Sequence, residues 1–315
     1  MVKKQVSTEQ VPEVVIIGSG PAGLTAGIYL GRFKRNPLII DGDLPGGQLM
    51  TTGIVENWPG EVSIDGPELV NKIRKHAESC GCEFLADSVE SVDFSKRPFV
   101  IRTKNKGDIQ AKSVIITTGS SPRRLGCEGE DKYWGKGVNT CATCDAPLYE
   151  GKEVVVVGGG NSAIAESFAL SKYAKKVTII QVLDKLTATD PLVDKTLEQK
   201  NVDVLYKKKV VEIIGDGEKV TGVVLEDQDS KEKSEFSAEG VFIAIGMIPS
   251  SGLFKDYIEL DKRGYIVRSE GARTMVDGIF VAGDVSDRRY RQAITASGQG
   301  CAAALECEEW LANVI

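Results

Sequence analysis

Two stretches of the chain repeat the same order of strand, glycine turn and helix, and this repeat restricts the fold more than any other feature. In the first, the apolar run 14–17 leads into GSGPAG and then into a helical stretch rich in Ala and Leu. In the second, the run 154–157 leads into GGGNSA and a further helical stretch. This context is the fingerprint of a dinucleotide-binding unit. The sequence therefore predicts an α/β fold with two Rossmann-like dinucleotide-binding domains.

The first turn has a physical role for each glycine. Gly18 permits the tight turn, Gly20 lets the backbone approach a pyrophosphate, and Gly23 lets the helix pack close to the strand. The helix then directs free N–H groups at the phosphates. The next apolar run ends in an acid that is placed to bind ribose hydroxyls. The candidate binding residues of this unit are Gly18, Gly20, Pro21, Ala22, Gly23 and Asp41.

The second turn is a GxGxxA variant of the first. Two such units in one chain indicate two dinucleotides, most simply a flavin and a nicotinamide, and a duplicated fold with one inactive site is the alternative. The strand after the second turn ends in Gln181, which matches neither the acid typical of NAD sites nor the arginines typical of NADP sites. The candidate residues of this unit are Gly158, Gly160, Asn161, Ser162 and Ala163.

Composition excludes several classes of partner. Lys and Arg number 39 against 45 Asp and Glu, and this net charge of −6 argues against binding to nucleic acid, which needs a basic surface. No apolar run is long enough to span a membrane, and the opening residues lack the apolar core of a secretory signal. The seven cysteines form an odd set that fits a reducing compartment. We therefore expect a cytoplasmic protein without a membrane partner.

The segment CATCD carries two cysteines, Cys141 and Cys144, separated by two residues. A four-thiolate zinc site needs a second pair with similar spacing, and Cys80 and Cys82 lie one residue too close, so no metal is expected. A static disulfide and a redox-active pair remain. The redox pair is favoured because a CxxC near a flavin-sized site suits two-electron exchange. If Thr140 caps a short helix here, its positive end favours the thiolate.

The last third of the chain supplies another strand, GIFVAGDV, followed by an Ala-rich helix. Asp284 ends this strand, where its carboxylate could bond a polyol hydroxyl or act only as a turn residue.

These motifs together resemble the low-molecular-weight, bacterial-type thioredoxin reductases, which are pyridine nucleotide-disulfide oxidoreductases of class II. The resemblance covers nearly the whole chain, through GSGPAG, GGQLMTTGIVENWPG, TTGSSPR, CATCD, GGGNSA, GIFVAGDV and YRQAITASGQGCAAALE. It implies an FAD-binding domain formed by residues 1–120 and 249–315. It also implies an inserted pyridine-nucleotide domain at 121–248, and a homodimer.

The resemblance assigns further residues. FAD would be bound by the first unit and by Gly47, Gln48, Asn57, Thr118, Gly119, Gly283, Asp284, Arg291, Gln292 and Ala293. Cys144 would face the flavin, Cys141 would attack the disulfide of thioredoxin, and Asp145 would donate the proton. The family's inserted domain rotates about its two chain crossings. No role is assigned to Cys80, Cys82, Cys127, Cys301 or Cys307.

One departure from the family concerns the electron donor. NADPH-selective members carry HRRxxxR after the second unit's second strand, whereas this chain has Gln181, Val182, Leu183 and Thr187 there. Losing these charge-assisted bonds, at about 1.5–3 kcal/mol each, argues against NADPH. NADH, or a donor protein such as a reduced ferredoxin, is the expected replacement. The predicted function is thioredoxin-disulfide reduction, with another disulfide carrier or a slow flavin redox sensor as alternatives.

Overall fold

The computed structural model describes residues 11–189 and 191–314. The described chain divides into two compact units. One unit runs to Ser121 and resumes at Ile248, and the other spans Pro122–Met247. The second unit is therefore contiguous, whereas the first is assembled from the two ends of the chain.

The first unit opens with β1 (Val14–Ile17), α1 (Pro21–Arg32), β2 (Leu38–Ile40), β3 (Ile54–Val55), β4 (Ile64–Asp65), α2 (Gly66–Ser79), β5 (Glu83–Leu85), β6 (Val89–Asp93), β7 (Phe99–Thr103), β8 (Gly107–Ala111) and β9 (Ser113–Ile116). The chain then passes through β10 (Ser120–Pro122). The second unit contains β11 (Val138–Asn139), α3 (Ala142–Asp145), β12 (Glu153–Val157), α4 (Asn161–Leu170), β13 (Lys176–Gln181), α5 (Leu192–Leu197), β14 (Val202–Tyr206), β15 (Lys208–Gly215), β16 (Val220–Asp227), β17 (Lys233–Ser237) and β18 (Gly240–Ile243). The return passage is β19 (Met247–Pro249), and β20 (Ile279–Val281) and α6 (Ala293–Val314) complete the first unit. Short 3₁₀ turns lie at Gly47–Thr51, Ala146–Tyr149 and Gly252–Phe254.

The first unit is built on a five-stranded parallel sheet in the order β20-β9-β1-β2-β5. Alternate residues of β1 enter two different cores. Val14 and Ile16 pack with α1 and α6, while Val15 and Ile17 pack with the antiparallel sheet β6-β7-β8. Both faces of β1 are covered, which explains why the strand is an unbroken apolar run rather than an alternating one.

The second unit repeats this architecture with strand order β11-β18-β12-β13-β14, again parallel. Val154 and Val156 pack with α4 and the disulfide segment, which is residues 141–144. Val155 and Val157 pack with the antiparallel sheet β15-β16-β17. The carboxyl ends of β1 and β12 each lead into a glycine turn and a helix. The predicted α/β class with two Rossmann-like sheets is confirmed.

Candidate cofactor and disulfide sites

The first glycine turn is closed so tightly that side chains do not fit inside it. Gly18 has φ +109° and donates its N–H to the Ile40 carbonyl at 2.8 Å. A Cβ placed on Gly23 would lie 1.9 Å from the Gly18 carbonyl oxygen. Helix α1 has Gly20 as its N-cap and Pro21 at its start, with no side chain capping its first turn. The backbone N–H groups of the first turn of α1 can therefore bind phosphate oxygens.

Asp41 lies buried at the end of β2, as the sequence predicts for a ribose-binding acid, but it has a protein partner. Its carboxylate accepts two hydrogen bonds from the guanidinium of Arg74, at 2.7 Å and 3.2 Å. The Asp41 carbonyl accepts from the Ser19 hydroxyl at 3.3 Å, and that hydroxyl accepts from the Gly46 N–H at 3.0 Å. A cavity of about 260 Å³ borders these residues. The first glycine turn thus adjoins a buried carboxylate and a partly enclosed cavity.

The GGQ and ENWPG segments approach other predicted residues of the first unit. Gly47 lies against the first turn, since a Cβ there would be 3.3 Å from the Gly20 Cα. Asn57 donates its side-chain amide to the Gln292 side-chain oxygen at 3.3 Å, across 235 residues of sequence. The structure therefore brings together residues that the sequence resemblance had assigned from separate motifs.

The other predicted residues of this unit lie at element ends. Gln48 is exposed in the 3₁₀ turn Gly47–Thr51, and Gly119 immediately precedes β10. The Thr118 hydroxyl donates to the Ser250 carbonyl at 2.7 Å. Arg291 has the unusual φ of 48° two residues before α6, and Ala293 is the first residue of that helix.

Asp284 follows β20 and is half-buried. Burial raises the pKa of its carboxyl to about 6, the charge of Asp287 adds to that rise, and Arg291 opposes it. Asp287 and Arg291 act on this carboxyl through their charges rather than through a hydrogen bond. The preceding N–H, of Gly283, donates to the Gln299 side-chain oxygen at 2.9 Å, and the Gln299 amide donates to Asp287 at 2.9 Å. The Asp284 carboxyl can therefore accept hydrogen bonds from a ligand.

The second glycine turn has the same backbone arrangement as the first, but a different side chain packs against it. The Gly158 N–H donates to the Ile180 carbonyl at 3.0 Å, and α4 starts after Gly160. Gln181 is 5% exposed and lies flat on the turn, since a Cβ on Gly159 would be 2.2 Å from its side-chain nitrogen. The same side chain donates to the Lys185 carbonyl at 2.9 Å and accepts from the Val182 N–H at 3.0 Å. The Gln181 side chain at the strand end is thus hydrogen-bonded within its own loop.

The loop after β13 is also bonded to the turn through its backbone. The N–H groups of Thr187 and Ala188 donate to the Gly159 carbonyl at 2.8 Å and 3.0 Å. The Thr189 N–H donates to the Asn161 side-chain oxygen at 2.8 Å. Of the other predicted residues here, Ser162 is half-buried and Ala163 is buried. The backbone N–H of Thr187 and the side-chain oxygen of Asn161 therefore form hydrogen bonds between this loop and the second glycine turn.

Cys141 and Cys144 form a disulfide with their Cα atoms 5.3 Å apart. Cys141 is the N-cap of α3, and its sulfur accepts a hydrogen bond from the Cys144 N–H at 3.2 Å. The expected cap at Thr140 is wrong, because a sulfur one residue later takes the place of the hydroxyl. The N–H that contacts this sulfur also favours a thiolate once the bond is reduced.

Asp145 is the last residue of α3 and is half-buried beside the disulfide segment. Burial raises the pKa of its carboxyl to about 6. Tyr149 is buried close by, and its hydroxyl accepts from the Asn139 amide at 2.6 Å. Burial raises the pKa of Tyr149, and the charge of Asp145 contributes to that rise. An acid that titrates near neutral pH is what proton transfer to a thiolate requires.

The remaining cysteines are free thiols, and three of them have reduced reactivity. Burial raises the pKa of Cys82 and of Cys307 to about 12. Half-buried Cys127 has its pKa raised to about 11, first by burial and then by Glu130. These thiols stay protonated at neutral pH, so they are poor nucleophiles.

Comparison with known proteins identifies the family. The pyridine nucleotide-disulphide oxidoreductase profile matches residues 12–300. The thioredoxin reductase of Rickettsia conorii is 45% identical over 303 residues, which cover 95% of this chain and 98% of that protein. The chain belongs to the thioredoxin reductase family. Solved structures agree: the thioredoxin reductase from Giardia duodenalis has a TM-score of 0.89 at 42% identity, covering 95% of this chain and 98% of that one. That of Streptococcus pyogenes has a TM-score of 0.90 at 36% identity, covering 96% and 99%.

As a member of the thioredoxin reductase family, the protein is a flavoprotein disulfide oxidoreductase. The residues of its first unit fit FAD, because the uncapped N-terminus of α1 suits a pyrophosphate and the half-buried Asp284 carboxyl suits a polyol chain. Within the described ranges, no helix is long and apolar enough to cross a membrane. Arg74, Gln299 and Tyr149 were not identified from the sequence, because their contacts with Asp41, Gly283 and Asn139 span 33, 16 and 10 positions and no local pattern reveals them.

Proposed function

We propose that this enzyme reduces the disulfide of thioredoxin, using Cys141 and Cys144 as its redox centre. The observation that carries the proposal is the Cys141–Cys144 disulfide followed directly by a half-buried acid, Asp145, whose carboxyl pKa is raised to about 6. A disulfide that joins cysteines three positions apart closes a small ring, so it can open and reform with little motion of the backbone. The acid next to it can exchange a proton with a sulfur near neutral pH.

In the proposed reaction, Cys141 acts first. Its thiolate attacks the thioredoxin disulfide, forms a mixed disulfide and releases one thioredoxin thiolate. Cys144 then attacks the Cys141 sulfur, which reforms the internal disulfide and releases the second thioredoxin thiolate. The Cys144 N–H, 3.2 Å from the Cys141 sulfur, stabilises the attacking thiolate. Asp145 exchanges protons with the sulfurs during these steps.

FAD, when bound, supplies the two electrons that open the internal disulfide again. We propose that it is held by Gly18, Gly20, Pro21, Ala22, Gly23, Asp41, Gly47, Gln48, Asn57, Thr118, Gly119, Gly283, Asp284, Arg291, Gln292 and Ala293. Arg74 would orient the Asp41 carboxylate toward a ribose, because it occupies both oxygens from one side. Asn57 and Gln292 would act as one hydrogen-bonding unit.

We also propose that the second glycine turn does not select NADPH. Selection for the 2′-phosphate needs cations at the strand end. Val182 and Leu183 are 45% and 46% exposed there, and Gln181 is bound to its own loop. NADH bound at Gly158, Gly160, Asn161, Ser162 and Ala163, or a donor protein, remains as the electron source. A homodimer in the cytoplasm is the expected state of the enzyme.

The test combines turnover with cysteine variants. The FAD-bound protein is assayed for thioredoxin-dependent reduction of DTNB with NADPH, NADH and reduced ferredoxin in turn. Sustained turnover with NADH or ferredoxin supports the proposal, and turnover that is fastest with NADPH contradicts the donor assignment. A single stoichiometric reduction would instead favour a sensor.

The variants Cys141→Ser and Cys144→Ser are expected to lose turnover while they retain FAD. Cys127→Ser is the matched control, because Cys127 lies in the same unit outside the disulfide. Full activity in either of the first two variants would exclude the redox pair.

A further inference from the structure

A carboxylate from the neighbouring helix contacts the backbone of the disulfide segment. Glu166 lies on α4, and its Oε2 accepts a hydrogen bond from the N–H of Ala142, the residue directly after Cys141. Ala142 is fully buried and Glu166 is half-buried. The N–H groups of Cys144 and Asp145 in the same turn donate to Cys141. Glu166 therefore binds the backbone directly after Cys141, at an N–H that does not take part in those bonds.

The position of this carboxylate is fixed by the fold of α4. The helix buries Ala163, Ile164, Ser167 and Leu170 against the sheet. Glu166 lies on the neighbouring face, where α4 packs against α3. Helix α4 begins at the second glycine turn, so the disulfide segment is tied directly to the helix that follows that turn.

We propose that Glu166 is a positioning residue for the disulfide segment and that its negative charge sets the reduction equilibrium of the pair. The proposal rests on the redox role assigned above to Cys141 and Cys144. Reduction adds two electrons and two protons to the disulfide and yields two thiols. When one thiol ionises, its negative charge is repelled by a nearby carboxylate. Glu166 therefore favours the disulfide over the ionised dithiol and raises the pKa of whichever of the two thiols ionises first.

Other charged and titratable groups face the same segment. Asp145 ends α3, and Tyr149 lies on the 3₁₀ turn that follows it. The Lys152 ammonium lies 5.1 Å from the centre of the Tyr149 ring. These groups stay unchanged in the experiment below, so the change measured belongs to Glu166.

The test is Glu166→Gln in the full-length, FAD-bound protein. Glutamine keeps an oxygen that can accept the Ala142 N–H and removes the charge. Wild type and variant are equilibrated at pH 8 in buffers of reduced and oxidised dithiothreitol, the thiols are alkylated, and the peptide with Cys141 and Cys144 is quantified by mass spectrometry. We expect the equilibrium constant for reduction to rise about tenfold, which corresponds to about 30 mV for two electrons. The pH at which alkylation of the reduced pair is half-maximal should fall by about one unit.

Two further variants separate charge from structure. Glu166→Asp keeps the charge, and its equilibrium constant should stay within about twofold of wild type; an Asp variant shifted as far as the Gln variant would show a purely structural role and overturn the proposal. Glu150→Gln removes an exposed acid from the same part of the chain and should change neither quantity. Equal shifts in Glu150→Gln and Glu166→Gln, or no shift in Glu166→Gln, would also overturn it. If the wild-type pair itself is not reversibly reduced, the proposed function fails instead.

Discussion

The two glycine turns of this chain share a backbone and differ in what the following strand places beside them. After β2, the buried Asp41 is held by Arg74 next to a cavity of about 260 Å³. After β13, Gln181 lies flat on Gly159, and the loop behind it is bonded to the same turn. The turn itself is set by steric exclusion of side chains. In dinucleotide-binding units the residue at the end of the next strand selects the ligand, so the turn and that residue can vary independently.

Each unit also contains a half-buried acid with a raised carboxyl pKa. Asp284 in the first unit and Asp145 in the second are both half-buried, and burial raises the pKa of each carboxyl to about 6. Burial thus raises the pKa of two acids whose surroundings differ: Asp284 faces the proposed polyol site, whereas Asp145 follows the disulfide.

The largest effect should come from exchanging the third small residue of each turn. Gly23→Ala would place a Cβ 1.9 Å from the Gly18 carbonyl oxygen, so α1 must move away from the turn. We expect FAD affinity to fall by about 100-fold or more, measured by flavin absorbance after gel filtration, because the N–H groups lose their aim at the phosphates.

The reciprocal change is the control. Ala163→Gly in the second turn should cost only about 1 kcal/mol in the free energy of unfolding, from lower helix propensity, and leave flavin content unchanged. Equal flavin content in Gly23→Ala and wild type would show that the two turns are equally tolerant.

Asp145→Asn tests the acid of the second unit. Because the carboxyl pKa is about 6, the wild-type proton is present below that pH and lost above it. Thiol–disulfide exchange of the reduced enzyme with thioredoxin should therefore slow as pH rises through about 6. The Asn variant should be slower by about 10–100-fold, without this titration. Stopped-flow kinetics from pH 5 to 8 measures both, with Asp194→Asn, an exposed acid of α5, as the control. A titration near pH 6 that persists in Asp145→Asn would assign it to another group.

Adding cations to the second turn should change its ligand preference. Val182 and Leu183 are exposed, so Val182→Arg with Leu183→Arg requires no repacking of the core. One charge-assisted bond to a 2′-phosphate is worth about 1.5–3 kcal/mol, so even a single new bond should raise the affinity for NADPH relative to NADH by about 10–100-fold. Calorimetric titration with both nucleotides measures this ratio. The matched double variant with Glu at both positions should not raise it, and a rise there would exclude the charge explanation.

The smallest effect concerns Asp284 in FAD-free protein. Its folded pKa lies above the ordinary value near 4, so its contribution to stability is fully present below that value and is lost as pH rises through about 6. Asp284→Asn stays neutral, and we expect the melting temperature of the apoprotein at pH 8 to rise by about 3 °C. Scanning calorimetry at pH 4.5 should show almost no difference. A difference of equal size at both pH values would exclude titration of Asp284 as its cause.

Local sequence patterns predicted the parts of the fold that are set by neighbouring residues. The strand, turn and helix at Gly18 and at Gly158 follow from steric limits within a few positions. The contacts of Asp41 with Arg74 and of Asn57 with Gln292 join residues 33 and 235 positions apart, and only the folded chain reveals them. The cap was misplaced at Thr140 because hydroxyls are the usual caps, whereas here the Cys141 sulfur accepts the N–H.

The split of the first unit around the second has a consequence for synthesis on the ribosome. All strands of Pro122–Met247 are translated before β20 and α6. Strand β20 pairs with β9, and α6 shares with α1 the cover of one face of β1. Until β20 and α6 are made, the sheet of the first unit therefore has an unpaired edge and an incompletely covered apolar face. Nascent chains stalled before β20 should therefore engage chaperones through the earlier half of the protein, although that half left the exit tunnel first.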